Sequence, residues 1–392
     1  MTWRKNIGIF PWHRNQELKL LRSGESFFDE LLSLIAKAKL SIHFHVYIFE
    51  GDTTGKVLFD ALLSAAKRGV EISLVMDGYG SGGFPKTWET TLLENKVELS
   101  YFSKFKFAFK YHTGLRMHHK IFIFDNEVAF IGGINISDSY SGFGKSNTWL
   151  DYGIKMQGNV VLDLLRICYK VERGILPLTK EQKNTLTYPV GSGTYKARIL
   201  QNHWLLARFG ISRQYRQTIR QAQHEIILIA SYFLPSPALK RILKKAAKRG
   251  VKIQLILGGI SDVKSMKYAA NYFYSDLLAA GVEIWEWEAS ILHAKLAFID
   301  SDWMCIGSYN LNHLSDFGSL ECNIEIRDKE FQETSKQQVL STIKSHSHQV
   351  SVVDYQKQSN WFVKLRNYFS YRIISGSLKL LFYFMHEPKK HR

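Results

Sequence analysis

The sequence predicts an α/β protein built from two similar halves, and two observations lead to this prediction. The hexapeptide AAKRGV occurs at 65–70 and again at 246–251. Each copy follows an apolar pattern with helical spacing and precedes a strand-like run, EISLVMD in one case and KIQLILG in the other. Strands that alternate with helices of about 10–15 residues favour a largely parallel sheet covered by helical layers.

Both copies continue through the same order of elements. Upstream of the hexapeptide, LSIHFHVYIFE (40–50) and HEIILIASYFLP (224–235) are rich in branched apolar residues, which predicts a strand in each. Gly69 and Gly250 follow basic residues, as expected of glycines that end a helix in the left-handed conformation. Each copy therefore predicts a strand, a helix, a strand, a variable segment, a strand, a turn and a strand.

The division of the chain follows from these copies. Pro, Gly, Ser and Thr are frequent in PLTKEQKNTLTYPVGSGTYK (177–196), and this composition is typical of a linker. Repetition alone is compatible with two independent domains or with two halves that share one site. We predict a first half, a linker, a second half and a basic amphipathic tail at residues 20–178, 179–198, 199–345 and 350–392.

Composition narrows the class of partner. The formal net charge of +17 favours a polyanion, either nucleic acid or an anionic membrane surface. Three cysteines without paired spacing predict neither a disulfide framework nor a cysteine zinc site, and they favour a reducing compartment. The start lacks a signal-peptide core, and the apolar stretch at 373–385 is interrupted by Lys379 and too short to span a bilayer. We therefore expect no transmembrane segment.

A second repeat carries the candidate chemistry. The stretches HHKIFIFDNEVAFIGGIN and HAKLAFIDSDWMCIGSYN place His, Lys, Asp, Gly and Asn at the same offsets. On a strand, residues i and i+2 project to the same side. His118 and Lys120 are therefore expected to point together, as are His293 and Lys295.

The other positions of the repeat have separate predicted roles. Asp125 and Asp300 belong to the catalytic motif by sequence, but each ends its strand at a tight turn, which predicts that it stabilises the turn. Small residues and an asparagine near the end of each copy would admit a phosphate to backbone N–H groups and add a side-chain donor. These residues are Gly133 and Asn135 in the first copy and Ser308 and Asn310 in the second.

Two histidines suit the cleavage of a phosphodiester. A neutral imidazole attacks phosphorus and a charged imidazole protonates the leaving alkoxide, so a pair with separated pKa values supplies both roles. Lysines and asparagines would stabilise the added negative charge without a metal, and a covalent phosphohistidine is predicted. Each imidazole also needs an orienting carboxylate, and Asp151 in NTWLDYGIK and Glu321 in GSLECNIEI are the candidates. No cofactor is expected, and the i, i+2 histidine spacing is poor evidence for zinc.

Two copies of His-x-Lys, four residues, Asp, six residues, Gly-Gly or Gly-Ser, one residue and Asn resemble the phospholipase D superfamily. The segments YIFEGD, DGYGSGG, RMHHK, FIGGINISD and LECN are similar to bacterial cardiolipin synthases of the short type without N-terminal membrane helices. The resemblance covers roughly residues 20–345. It implies two halves in a pseudo-twofold arrangement with one shared active site and no metal.

The resemblance also implies residue roles. His118 would be the nucleophile and His293 the general acid and base, with the lysines and asparagines around the phosphate and Asp151 and Glu321 as orienting carboxylates. The sequence NLNHLSDFG (310–318) lacks the Arg-Ser pair that many relatives have there, which leaves the substrate less defined than the reaction.

The activity implied by this family is phosphatidyl transfer through a phosphohistidine to phosphatidylglycerol or a related alcohol. A hydrolytic phospholipase D, or a nuclease of the same superfamily, is an alternative in which water resolves the intermediate. A non-catalytic module that binds membranes or nucleic acid is a third hypothesis. That module would be expected to have a broken motif, and neither copy is broken.

Two basic aromatic segments indicate a membrane surface. YFSKFKFAFKYHTGLR (101–116) and the tail at 361–392 mix Lys and Arg with aromatic residues, which is typical of proteins that rest on anionic headgroups. We expect anionic phospholipids as substrates and a peripheral position at the cytoplasmic face of the membrane. Alternatively the tail packs on the core, or it contacts nucleic acid, which is the less favoured partner. Deletion of 361–392 is expected to lower binding to anionic liposomes.

Overall fold

The structure is a computed structural model that describes residues 8–103, 116–143, 148–174, 177–188, 193–203, 208–312, 315–316 and 318–386. The first half contains the strands β1 (His13–Arg22), β2 (Ser41–Val46), β3 (Glu71–Asp77), β4 (Glu98–Phe102), β5 (Arg116–Met117), β6 (Lys120–Phe124), β7 (Val128–Gly132) and β8 (Tyr152–Gly158). The second half contains β9 (Tyr195–His203), β10 (Arg208–Phe209), β11 (Glu225–Ala230), β12 (Lys252–Gly258), β13 (Glu283–Trp287), β14 (Lys295–Ile299), β15 (Trp303–Gly307), β16 (Ser319–Ile326) and β17 (Ser347–Gln349).

Helices cover these strands in both halves. In the first half and the connection they are α1 (Glu25–Lys37), α2 (Thr53–Lys67), α3 (Lys86–Glu94), α4 (Asp138–Ser141), α5 (Val160–Arg173) and α6 (Lys180–Thr185). The remaining helices are α7 (Gly210–Gln221), α8 (Pro237–Lys248), α9 (Lys264–Asn271), α10 (Tyr274–Leu278), α11 (Lys329–Lys344), α12 (Val352–Gln358) and α13 (Trp361–His386).

All the strands belong to one sheet with an internal repeat. The first half contributes the order β4-β3-β2-β6-β7-β8-β1, and the second contributes β13-β12-β11-β14-β15-β16-β9. The two series join where His13–Asn15 of β1 pairs with Tyr195–Ala197 of β9. Equivalent strands therefore lie at equivalent distances from this junction, and the α/β class and the pseudo-twofold arrangement are confirmed.

The prediction of a largely parallel sheet was wrong. Among the described strands, only β2-β3-β4 and β11-β12-β13 form parallel series, and β5 and β16 form one further short parallel pair. The motif strands form the antiparallel hairpins β6-β7 and β14-β15. Asp125 and Asp300 adopt φ of 49° and 50° in the connecting turns. Tight turns of this kind reverse the chain, so the strands that follow them run antiparallel.

The repeated hexapeptide ends a helix in both halves. Gly69 and Gly250 have φ of 89° and 88°, which confirms the predicted left-handed helix ends. Each of these helices also begins with a side-chain cap, because Asp52 accepts a hydrogen bond from Gly55 N and Ser236 accepts one from Leu239 N. Local sequence therefore defines both ends of α2 and α8.

Three large apolar cores stabilise the described part of the fold. One lies within each half, and the third is shared between them. In the shared core, Ile154 and Leu165 of the first half are buried together with Leu296 and Ile324 of the second. Because both halves bury apolar surface in this core, they pack as one unit rather than as two independent domains.

The element bounds refine the predicted division of the chain. β1 begins at His13, ahead of the predicted first half, and pairs with both β8 and β9. The predicted linker contains α6, whose first turn is closed by a capping box between Thr179 and Gln182. Within the described residues, no helix is long and apolar enough to cross a membrane.

Candidate active site

His118 lies where the first half meets the second. The short strand β5 pairs in parallel with the start of β16, and the backbone N–H groups of His118 and His119 both donate to Leu320 O at 3.0 Å. This pairing sets the imidazole against the next residue of β16. Nδ1 of His118 lies 3.0 Å from Oε2 of Glu321, a fully buried carboxylate. Since a carboxylate only accepts, Nδ1 carries the proton and Nε2 carries the lone pair.

His293 has the same arrangement with the roles of the halves exchanged: the second half supplies the histidine and the first half supplies the carboxylate. Leu150 and Leu292 form a parallel bridge, and His293 N donates to Leu150 O at 2.8 Å. Nδ1 of His293 then lies 2.6 Å from Oδ2 of Asp151. Each histidine is thus oriented by a carboxylate from the other half, so the site is complete only when the two halves are together.

The motif lysines begin the two central strands and are buried. Lys120 Nζ donates to the backbone oxygen of His118 at 2.6 Å, and Lys295 Nζ donates to that of His293. Lys295 Nζ also lies 3.3 Å from Nε2 of its histidine. Within the described residues neither lysine forms an ion pair with a carboxylate. Two buried lysines that form no ion pair with a described carboxylate make this a site for a negatively charged ligand, which would stabilise their protonated forms.

The small residues of the motif contact the two orienting carboxylates. A Cβ added at Gly133 would lie 2.4 Å from Oδ2 of Asp151, so only glycine leaves room for this carboxylate. Ser308 has the equivalent position in the second half and donates to Oε2 of Glu321 at 2.5 Å. The expectation that these residues admit phosphate to the backbone therefore needs correction: the carboxylates already fill that space.

The two asparagines bond to groups around the site. Asn135 accepts from Ile48 N at 3.1 Å and donates through Nδ2 to the hydroxyl of Tyr140 at 3.0 Å. That hydroxyl lies 3.3 Å from Nδ1 of His293. Asn310 accepts from Ser231 Oγ at 2.7 Å, which orients its amide N–H₂ as a donor.

The motif aspartates lie away from the imidazoles. Asp125 accepts backbone N–H groups of residues 39–41 at 2.7 to 3.1 Å, and Asp300 accepts those of residues 223–225. Five residues of strand, or roughly 16 Å, separate each aspartate from its lysine. Their inclusion with the catalytic residues is corrected on this geometry: they fix the starts of β2 and β11.

Comparison with known proteins agrees with this geometry. The family model described as "Cardiolipin synthase, PLD-like domain" matches residues 31–149 and 215–343, one match in each half. The chain belongs to this family. It is accordingly a phospholipase D-type phosphatidyltransferase by class.

Relatives match over most of their length. The chain is 31% identical to cardiolipin synthase B of Salmonella typhimurium over 357 residues, covering 89% of this chain and 86% of the relative. It is 30% identical to cardiolipin synthase B of Escherichia coli K12 with the same coverage. A cardiolipin synthase of Clostridium perfringens is 29% identical, with 88% and 74% covered.

Solved structures share the fold. A phosphatidylserine synthase of Haemophilus influenzae superimposes with a TM-score of 0.73 at 13% identity, covering 97% of this chain and 98% of that chain. A polyphosphate kinase of Porphyromonas gingivalis gives a TM-score of 0.60 at 13% identity, covering 86% and 48%. At this identity the likeness concerns the fold.

Aromatic residues around the histidines were not predicted from the sequence. The Tyr47 ring lies 5.0 Å from the His118 ring, and Tyr140, Trp149 and Tyr232 lie 5.3, 5.7 and 6.3 Å from His293. Tyr47 and Tyr232 follow the parallel strands β2 and β11 closely. Ligand sites gather at the carboxyl ends of parallel strands, and this position is the signal that could have identified them.

Burial dominates the electrostatics of the site. It lowers the pKa of His118, an effect that Glu321 opposes and Lys120 reinforces. Burial and the charge of Lys295 lower the pKa of His293 further, while burial raises the pKa of Asp151 to about 6. Without substrate, burial therefore favours the neutral form of both imidazoles. The predicted separation of a neutral and a charged histidine requires the negative charge of a bound phosphodiester.

The pKa values of the two motif lysines predict how activity depends on pH. Burial and the charge of Lys295 lower the pKa of Lys120 to about 7, and burial lowers the pKa of Lys295 to about 8. As pH rises through these values the lysines lose their protons and no longer stabilise the phosphate. We expect kcat/KM to fall above pH 7–8, by up to about tenfold per pH unit, and kcat to fall at higher pH because bound phosphate raises both pKa values.

Lys120→Arg tests the origin of this fall. Arginine keeps its charge throughout the range, so the variant is expected to have a lower maximum but a shallower alkaline fall than the parent protein. Lys19→Arg, at an exposed position, is the matched control and should leave the profile unchanged. A parent profile that stays flat from about pH 7 to 9 would contradict the lysine assignment.

Within the described residues, no group of three or more His, Cys, Asp or Glu side chains has a geometry that could hold a metal ion. The basic segment at 101–116 lies almost entirely outside the described residues. So do part of 310–318 and the last residues of the tail.

Proposed function

We propose that the protein transfers a phosphatidyl group from one anionic phospholipid to a hydroxyl of phosphatidylglycerol or a related alcohol, through a phosphohistidine at His118. One observation carries this proposal. Two imidazoles, each oriented at Nδ1 by a carboxylate of the opposite half, lie beside two buried lysines that have no described ion-pair partner. This arrangement supplies a nucleophile, a proton donor and an anion site together.

The first step forms the intermediate. Glu321 holds the Nδ1 proton of His118, so the Nε2 lone pair attacks phosphorus and forms the N–P bond. The bond from phosphorus to the leaving glycerol oxygen breaks, and protonated His293 gives its Nε2 proton to that oxygen. The lysines stabilise the negative charge that builds on the non-bridging oxygens.

The second step releases the product. Neutral His293 takes the proton of the acceptor hydroxyl, whose oxygen forms a bond to phosphorus. The N–P bond breaks and its electron pair returns to Nε2 of His118, so both histidines regain their starting states. The two histidine–carboxylate pairs of this site have equivalent geometry. The choice of His118 as nucleophile therefore rests on the resemblance to the superfamily.

A membrane position belongs to the same proposal. The substrates are anionic phospholipids, and we place the protein peripherally on the cytoplasmic face of the membrane. The net charge of +17 supports attraction to anionic headgroups. Exposed aromatic side chains on α13 support contact with the interface.

Product analysis tests this function. The purified protein is incubated with phosphatidylglycerol vesicles, and lipids and water-soluble products are separated and identified by mass spectrometry. Cardiolipin together with free glycerol is the expected result, and His118→Ala is the inactive control. Phosphatidic acid as the sole lipid product would instead indicate a hydrolase. Absence of any turnover, with the fold intact by circular dichroism, would indicate a non-catalytic module.

A further inference from the structure

Over residues 361–377, whose side chains the structure describes, helix α13 has two apolar faces, and one of them packs against the rest of the described chain. On the packed face, the Tyr371 ring stacks on Tyr272 with centroids 4.8 Å apart, and Arg366 lies 3.8 Å from the ring of Tyr268. Tyr371 and Ile374 contact the core of the second half. The alternative that the tail packs on the core thus accounts for this face alone.

The second face is exposed and apolar. Its side chains recur at helical spacing and expose more than a third of their surface. They are Trp361, Phe362, Leu365, Phe369 and Ile373. The rings of Trp361 and Phe362 stack 3.6 Å apart, and each residue exposes 62% of its surface. Aromatic residues at an exposed helix start are typical of interfacial anchors.

Charge selects the kind of surface that this face would meet. The residues of α13 include no Asp or Glu, whereas Lys364 and Arg372 are exposed beside the apolar side chains. A helix with only positive charges flanking an apolar face complements an anionic lipid surface.

The direction of α13 connects this face to the active site. Contacts with α9 and the residue after it occur in the same order along both helices, from Arg366 on Tyr268 to Tyr371 on Tyr272, so the helices run parallel. The first turn of α13 is therefore directed toward the start of α9. The loop that precedes α9 carries Asp262, which accepts a hydrogen bond from the hydroxyl of Tyr232 at 2.6 Å, next to His293.

We propose that the exposed face of α13 docks on an anionic bilayer and, through its packing on α9, holds the side of the active site that carries Tyr232 and Asp262 at the lipid surface. Ile260 and Val263, both exposed in the loop before α9, extend the apolar surface at this end. The inference rests on the proposed function for the identity of the substrate, but the docking itself is independent of catalysis.

Point variants test docking more sharply than deletion of the tail does, because deletion would also expose the apolar core of the second half. Phe369→Ser with Ile373→Ser removes two exposed side chains and leaves the packed face intact. Leu40→Ser is the control, since Leu40 is 66% exposed and Ile373 is 65% exposed, but Leu40 lies before β2 in the other half. Partitioning is measured by flotation with phosphatidylcholine vesicles that contain or lack phosphatidylglycerol.

The double variant is expected to bind phosphatidylglycerol-containing vesicles at least about tenfold more weakly. The reason is that the apolar side chains of Phe369 and Ile373 are no longer transferred from water into the bilayer on binding. Leu40→Ser should bind as the parent does. Lys364→Gln with Arg372→Gln should weaken binding only where phosphatidylglycerol is present. Unchanged partitioning of the folded double variant would overturn the proposal, as would a dimer of the parent chain that the variant loses while vesicle binding persists.

A short-chain phosphatidylglycerol below its micelle concentration separates docking from chemistry. The double variant should turn over this monomeric lipid within about twofold of the parent and lose activity on vesicles only. If the parent turns over neither lipid, the proposed function fails, yet the flotation result still decides docking. Equal loss on monomeric and vesicular lipid would overturn the docking role.

Discussion

Substitution of His118 by alanine is expected to lower phosphatidyl transfer by about 10⁴-fold or more, because it removes the atom that forms the bond to phosphorus. Nδ1 of this imidazole is held by Glu321 at 3.0 Å, so the missing function is that of Nε2. KM for phosphatidylglycerol should change little, since the lysines that attract the phosphate remain. Initial rates from vesicle and short-chain substrates measure the loss.

Trapping experiments separate the two histidines. With phosphatidylglycerol labelled in the phosphatidyl group, acid-quenched parent protein should carry label, and His118→Ala should carry none. His293→Ala is expected to react slowly and to hold label longer, because its acceptor base is missing. His348→Ala, at an exposed position, is the control. Label on His118→Ala would reverse the assignment of roles.

Glu321→Gln and Asp151→Asn are expected to lower kcat by about 10³–10⁴-fold with the fold retained. The amide introduced by Glu321→Gln would donate toward Nδ1 of His118, so the ring would carry its proton on Nε2 and lose the nucleophilic lone pair there. The negative charge that supports an imidazolium is lost as well. Both carboxylates are buried, so thermal unfolding must be measured alongside the rates.

The ¹⁵N chemical shifts of the imidazole nitrogens test whether each carboxylate sets the tautomer of its histidine. In the parent protein the Nδ1 atoms of His118 and His293 should both show protonated shifts. Glu321→Gln should change the shifts of His118 and leave those of His293 nearly unchanged, although Glu321 and His293 belong to the same half. A change confined to His293 would contradict the pairing across the halves. Activity within about tenfold of the parent would contradict the orienting role.

Much of the fold could be predicted because it is local. The hexapeptide at each helix end, the apolar runs and the turn aspartates define helices and strands from residues close in sequence. The prediction of sheet direction was wrong because the alternation of helices and strands is typical of parallel sheets, whereas the motif contains its own tight turn. That turn forces β6 and β7, like β14 and β15, to run antiparallel.

The site was predictable in its members but not in their pairing. Spacing identifies the histidines and the lysines, and the need of each imidazole for an orienting acid identifies Asp151 and Glu321 as the candidate carboxylates. Spacing does not show that Glu321 reaches His118 and Asp151 reaches His293, because that depends on how β5 and β16 pair across the junction. For the same reason the need for glycine at Gly133 became evident only from its distance to Asp151.

A structure with bound vanadate tests the central claim most directly, because vanadate adopts the five-coordinate geometry of a phosphorus in transfer. We expect vanadium bonded to Nε2 of His118, with Nε2 of His293 facing it in line on the opposite side and both lysines beside its equatorial oxygens. Vanadate bound to one histidine alone, with the other imidazole directed elsewhere, would contradict a shared centre.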